Sequence, residues 1–185
     1  MLESLKVTPF GALHTVIGVV SVVAGVIAFV RTYEISPRSR AGMVYLVGTI
    51  LTCITALGIF HHGGFGAPHV LALLTLSVLG LAYAAGNGRL FGRWSNDVET
   101  AGYSLTFLFQ MIPAVIETTT RLPIGAPLVD SPEAPVLQTI NGLMFLVYLG
   151  GASLQVRRQH AKATNPGTQE TVSPLELALA DAPQE

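Results

Sequence analysis

Five apolar stretches of about 20 residues, almost free of charged side chains, constrain the fold of this chain more than any other feature. A helix that crosses the hydrocarbon core of a bilayer needs about 20 apolar residues. The stretches are continuous, whereas the strands of a transmembrane barrel would alternate apolar and polar residues. The sequence therefore predicts an all-α integral membrane bundle of five transmembrane helices, with spans over residues 9–30, 42–60, 67–85, 100–119 and 135–156.

The small number of charged residues supports this interpretation. Asp, Glu, Lys and Arg make up 11% of the chain, against about 25% in soluble proteins, which is too little to cover a water-exposed surface. The single cysteine, Cys53, excludes a disulfide-stabilised secreted domain. A net charge of −1 with only ten basic residues excludes a nucleic-acid-binding protein. The partner that the composition favours is the lipid bilayer.

The basic residues predict the orientation of the bundle, because cytoplasmic loops of membrane proteins carry an excess of Lys and Arg. In a five-span arrangement, two of the ten basic residues, Lys6 and Arg121, lie on one side. We therefore expect the N-terminus outside and residues 157–185 as a mostly disordered cytoplasmic tail, in a multi-pass protein of the bacterial inner membrane. The other eight lie on the cytoplasmic side: Arg31, Arg38, Arg40, Arg89, Arg93, Arg157, Arg158 and Lys162.

Residues three, four or seven positions apart share a helix face, and small residues on a face let two membrane helices approach closely. Such stripes in the first two spans predict that these faces pack inside the bundle. The first span carries His14, Gly18, Ser21, Gly25 and Ala28, and the second carries Gly48, Thr52, Thr55, Ile59 and His62.

The fourth and fifth spans carry the most polar faces. Hydrocarbon offers such groups no hydrogen-bond partners, so we expect the two faces to meet each other or to line a cavity. Glu117 is the one carboxylate inside a predicted span, and it is expected to pair with Arg121 or to meet a histidine. The predicted polar lining consists of Gln110 and Arg121 from the fourth span and Gln138 and Asn141 from the fifth.

Four of the five histidines fall at the outer side, and with Glu117 they form a candidate binding site. Imidazole can ligate haem iron or a transition metal, or carry protons near neutral pH. His14 with His69 or His62 is the best pair for haem b, whereas His14, His61, His69 and Glu117 could hold a metal ion. The alternative is that these histidines simply keep their polar tips in water at the membrane surface.

The stretch from His14 to about Ala85 resembles a family of uncharacterised bacterial membrane proteins known as domain of unknown function 2306. The resemblance rests on the early His14, the arginine-rich segment Ser36–Arg40, Gly42 and Tyr45 at the start of the second helix, and Trp94 after the third. It implies a multi-helix inner-membrane protein and implies no known activity.

No Ser-His-Asp, paired-carboxylate or HExxH arrangement is present in the sequence, so nothing in it indicates an enzyme. The leading hypothesis is a non-enzymatic subunit or binding module of a larger membrane assembly, with other membrane subunits or a second copy as partner. One alternative is a redox protein that holds haem or a metal at the outer histidines. A second alternative is a transporter or channel subunit that uses the polar faces of the fourth and fifth spans.

Overall fold

A computed structural model describes residues 8–60, 64–88 and 90–164, and within them the chain is helical with no strand. This confirms the all-α prediction. Four of the helices, α1, α2, α3 and residues 135–161 of α5, are long and apolar enough to cross a membrane. The helices are α1 (Pro9–Thr32), α2 (Arg40–Leu57), α3 (Ala67–Gly88), α4 (Ser95–Arg121) and α5 (Pro135–Thr164), with a short 3₁₀ turn over Gly92–Trp94.

Side-chain caps fix the starts of the first two helices. The Thr8 hydroxyl accepts a hydrogen bond from the Gly11 N–H at 3.0 Å, and α1 begins at Pro9 as predicted. The Ser39 hydroxyl accepts one from the Gly42 N–H at 3.0 Å, so α2 begins two residues earlier than predicted. Both hydroxyls satisfy backbone donors that have no partner inside their helices.

The helices α4 and α5 are longer than the sequence predicted. α4 begins at Ser95 rather than at residue 100, and its first turn holds Asp97, where a negative charge interacts favourably with the helix dipole. α5 continues to Thr164, so the prediction that the tail begins at Arg157 is wrong. Hydrogen bonds from Gln159 and His160 to α4 hold these last turns against the bundle.

The stripes of small residues, predicted to pack inside the bundle, meet each other and join α1 to α2 in an antiparallel pair. From one end to the other, His14 meets Thr55, Gly18 lies against Thr52, and Ser21 lies against Gly48. The last contact is the closest, because a Cβ atom on Gly48 would stand 2.8 Å from the Cβ of Ser21.

The helix α4 is packed in the bundle with its polar face inward. It runs antiparallel to α3, with Gly102 against Ala82, and antiparallel to α5, with Ser104 bonded to Gln155. Its buried side chains are polar except for Leu108, while α1 exposes a row of valines to the surroundings. A bundle with an apolar outer surface and a polar interior is suited to a lipid environment. The fold is that expected of a multi-pass membrane protein.

The close contact at Gly48 gives a direct test of the α1–α2 packing. We expect Gly48→Ala to lower the stability of the protein by about 1–3 kcal/mol, because the added methyl group forces the two helices apart. The measurement is denaturant-induced unfolding in detergent micelles, followed by circular dichroism.

The matched control is Gly80→Ala, since a Cβ atom at Gly80 meets nothing within 4 Å. This variant should be as stable as the parent, or more stable by up to about 1 kcal/mol, because alanine favours the helix. Equal destabilisation by both substitutions would contradict the packing described for Gly48.

Candidate functional site

The two histidines that the structure describes at the predicted outer site have separate surroundings. His14 shares a hydrogen bond of 2.8 Å between its Nδ1 and the Thr55 hydroxyl. His69 accepts a hydrogen bond from the Gly66 N–H at its Nδ1 (3.1 Å), and its ring lies between those of Phe60 and Phe65. Its buried Nε2 has no hydrogen-bond partner. His14 is therefore held by a contact between α1 and α2, whereas His69 is held by Phe60, Phe65 and Gly66.

The predicted outer cluster is not assembled among the described residues. His61 and His62 lie outside those residues. The extensive helix contacts are between α1 and α2, α2 and α3, α3 and α4, and α4 and α5, so α1 and α3 do not present His14 and His69 across a common interface. In the part of the chain that the structure describes, no group of three or more His, Cys, Asp or Glu side chains is arranged to hold a metal ion.

Glu117 forms the ion pair that its spacing predicted. Its carboxylate contacts Nε of Arg121 one turn further along α4, and the two side chains are 57% and 35% exposed. Glu117 is also close enough to His14 to interact with it electrostatically. An exposed pair of this kind contributes little to stability, so any importance of Glu117 must come from its place at the end of α4.

The other members of the predicted polar lining are dispersed. The Gln138 side chain donates to the Glu133 carbonyl at 3.2 Å, a local contact at the start of α5. Asn141 has a buried Oδ1 without a partner. Gln110 instead faces α1 and α2. The sequence predicts that the polar face of the fourth span meets that of the fifth or lines a cavity, whereas the Gln110 side chain bonds to Ser21 and Thr49. A stripe shows which residues share a side of a helix but not which helix they meet.

Gln110 belongs to a buried group of side chains that we call the polar core. Its Oε1 lies 3.3 Å from the Ser21 hydroxyl and 3.2 Å from the Thr49 hydroxyl, and these hydroxyls are 3.0 Å apart. One turn away, the Tyr45 and Thr106 hydroxyls share a hydrogen bond of 2.9 Å. The polar core comprises Ser21, Tyr45, Thr49, Thr106 and Gln110, all of them buried.

A buried carboxylate lies at the opposite end of the bundle from His14. The side chain of Glu99 is 9% exposed, and the Arg38 guanidinium donates to both of its oxygens at 3.1 and 3.3 Å. Gly86 of α3 makes room for this carboxylate, because a Cβ atom there would stand 2.4 Å from it. This Arg38–Glu99 pair joins the α1–α2 loop, α3 and α4.

The end of α5 is attached beside this pair. His160 Nε2 lies 3.0 Å from both carboxylate oxygens of Asp97. The Gln155 side chain donates to the Tyr33 carbonyl at 2.7 Å, and the Arg158 guanidinium lies 4.0 Å above the Tyr33 ring. Arg158 and His160 lie in the part of the chain predicted to be a mostly disordered tail, whereas Gln155 lies inside the predicted fifth span.

Asp97, Glu99 and His160 are not among the predicted site residues, because all three lie outside the predicted spans. A signal was present nonetheless. Asp97 and Glu99 are acidic residues immediately before an apolar stretch, where they favour the start of a helix. Gln155 and Gln159 are four residues apart and so share one face of a helix that continues beyond residue 156.

No known family model, curated protein or solved structure matches this chain. The resemblance to domain of unknown function 2306 therefore stays a prediction.

The Arg38–Glu99 pair can be tested by a double-mutant cycle. We expect Arg38→Gln to lower the stability of the protein by on the order of 1–3 kcal/mol, because it leaves the buried Glu99 carboxylate unpaired. This loss of stability is smaller than for a fully buried ion pair, since water reaches Arg38. Combining it with Glu99→Gln should cost less than the sum of the two single substitutions.

Unfolding in detergent micelles measures these differences, and Arg93→Gln is the control. Arg93 is exposed and its guanidinium lies 5.0 Å from the Trp94 ring, so its loss should change stability by no more than about 0.5 kcal/mol. Strict additivity of the Arg38 and Glu99 substitutions would refute a coupled pair.

Proposed function

We propose that this chain is a small non-enzymatic protein of the bacterial inner membrane that acts as a subunit or binding module in a larger membrane assembly. The observation that carries the proposal is the poor coverage of α5. Within its candidate span, 6% of the residues are buried, against 22–33% in α1, α2 and α3. α5 is thus attached to the bundle by one face and leaves the rest of its apolar surface uncovered.

The uncovered surface of α5 is suited to a neighbouring transmembrane helix. It carries large apolar side chains, Leu143, Leu146, Val147 and Leu154. Between them, Gly150 has open space around its α-carbon. An exposed glycine lets a second helix approach closely and form many dispersion contacts. These contacts drive association in lipid, where there is no hydrophobic driving force between helices. The partner we propose is therefore another membrane helix, from a different subunit or from a second copy of this chain.

The internal contacts also favour an architectural role. Buried polar groups on α1, α2 and α4 bond mainly to one another in the polar core. Asp97 contacts His160, and Glu99 contacts Arg38. The alternative of a redox protein would require histidines that share a cofactor; of the histidines described at the outer side, His14 bonds to Thr55 and His69 accepts from the Gly66 N–H.

The proposed orientation places the end of the bundle that carries Arg38, Arg93 and Arg158 in the cytoplasm. Arg38 pairs with Glu99 near the start of α4, and Arg158 contacts Tyr33 at the end of α1, so these segments share one end. Arginine at that end follows the positive-inside rule and would interact favourably with the anionic headgroups of the inner leaflet.

Site-specific photo-crosslinking in the native membrane tests the proposal. A photoreactive residue at Leu146 of α5 should give one discrete protein adduct, because this position, 62% exposed, lies in the uncovered surface. The same residue at Leu74 of α3, which is 46% exposed, should give lipid adducts only. Gly150→Leu should remove the Leu146 adduct by blocking close approach. Lipid adducts alone at both positions would contradict the proposed assembly.

A further inference from the structure

The turn that joins α3 to α4 exposes large apolar side chains. In this segment, residues 90–94, which we call the α3–α4 turn, Leu90, Phe91 and Trp94 are 63%, 40% and 51% exposed. α4 runs antiparallel to α3 and α5, and its 27 residues extend over about 40 Å at 1.5 Å per residue. A bilayer measures about 40–45 Å with its headgroup regions included. The α3–α4 turn therefore lies at the level of the headgroups.

The backbone of the α3–α4 turn forms hydrogen bonds within its own segment. The Phe91 N–H donates to the Ser95 hydroxyl at 3.2 Å, and the Trp94 N–H donates to the Phe91 carbonyl at 3.0 Å. The Ser95 N–H donates to the Gly92 carbonyl. Because these donors already have partners, the turn can lie against lipid without losing hydrogen bonds to water. Tryptophan is also enriched at the interface between membrane and water. The turn is thus suited to the boundary between headgroups and acyl chains.

Arg93 places a positive charge within this apolar surface. Its side chain is exposed, and its guanidinium lies 5.0 Å from the centre of the Trp94 ring. Beside it is an open groove of about 430 Å³, lined by Gly92, Arg93, Ser95 and Asn96. The planar guanidinium has the geometry to bind phosphate oxygens in pairs. The groove therefore offers a phosphate group one cation and room beside it.

The acidic residues near the α3–α4 turn are neutralised by partners of their own. Asp97 and Glu99 are buried; Asp97 contacts His160, and Glu99 is paired with Arg38. This end of the bundle also exposes further arginines, Arg31, Arg40, Arg157 and Arg158. The exposed basic groups favour an anionic occupant of the groove.

We propose that the α3–α4 turn binds an anionic phospholipid, with the headgroup phosphate against Arg93 and the acyl chains along Leu90, Phe91 and Trp94. A lipid is favoured over free phosphate because free phosphate would leave the three apolar side chains uncovered. Exposed arginines attract anionic lipid wherever they stand, whereas this site sets a cation, a groove and an apolar surface side by side. The site goes beyond the proposed assembly role and does not depend on it.

The fluorescence of Trp94 tests the site in the unmodified full chain, because Trp94 is the one tryptophan in the sequence. The protein is placed in liposomes of zwitterionic lipid with a small, equal fraction of either brominated anionic or brominated zwitterionic phospholipid. Bromine quenches tryptophan on contact. We expect the anionic lipid to be enriched about fivefold at Trp94, which corresponds to about 1 kcal/mol for one basic residue at the membrane surface. Acrylamide should quench weakly, and added inorganic phosphate should leave the enrichment unchanged.

Arg93→Gln should abolish the enrichment, whereas the matched control Arg157→Gln should retain it, because Arg157 is exposed at the same end but lies on α5. If Arg93→Gln does not fold by circular dichroism, Asn96→Asp replaces it in the test, since a carboxylate in the groove repels phosphate.

Four results would each overturn the proposal. The first is equal quenching of the parent by the two brominated lipids, and the second is equal loss of enrichment in Arg93→Gln and Arg157→Gln, which would indicate a diffuse attraction. The third is loss of enrichment on addition of inorganic phosphate, which would indicate a site for free phosphate. The fourth is strong quenching by acrylamide without quenching by lipid, which would place Trp94 in water.

Discussion

The polar face of α4 determines how the rest of the bundle is arranged. This helix carries buried hydroxyls, amides and carboxylates along most of its length, and hydrocarbon offers such groups no hydrogen bonds. They must therefore turn toward other helices. α1 and α2 supply hydroxyls at Ser21 and Thr49, and the α1–α2 loop supplies Arg38. The apolar helices surround α4 and present their valines and leucines to the outside.

Glycine makes this arrangement sterically feasible. Gly48 allows α2 to approach Ser21, Gly86 receives the Glu99 carboxylate, and Gly102 lies against Ala82 of α3. Close backbones bring short side chains such as Ser and Thr within hydrogen-bond distance across an interface. Individual interhelical hydrogen bonds contribute only about 0.6 kcal/mol in membrane proteins. The stability of the α4 interfaces therefore depends on packing and on the sum of many small polar contacts.

The sequence was sufficient to predict the helices and the inward-facing stripes of α1 and α2, because apolar length and small-residue stripes are local properties. It was insufficient for the partners of α4. Gln110 was correctly placed on a polar face, but that face meets Ser21 and Thr49 rather than α5. The Arg38–Glu99 contact joins residues 61 positions apart, and no spacing rule connects them. His160 was missed since charged residues beyond an apolar stretch were taken to end the helix.

The arrangement described above requires that α4 crosses the membrane with the more apolar helices packed around it. By length and hydropathy alone, α4 is not among the candidate membrane spans. Cysteine labelling with a membrane-impermeant maleimide tests it most directly, using Asn96→Cys and Leu122→Cys at the two ends of α4 in a Cys53→Ala background. We predict that Asn96→Cys is labelled only in inverted vesicles and Leu122→Cys only in intact cells with a permeable outer envelope. Labelling of both positions from the same side would contradict the account.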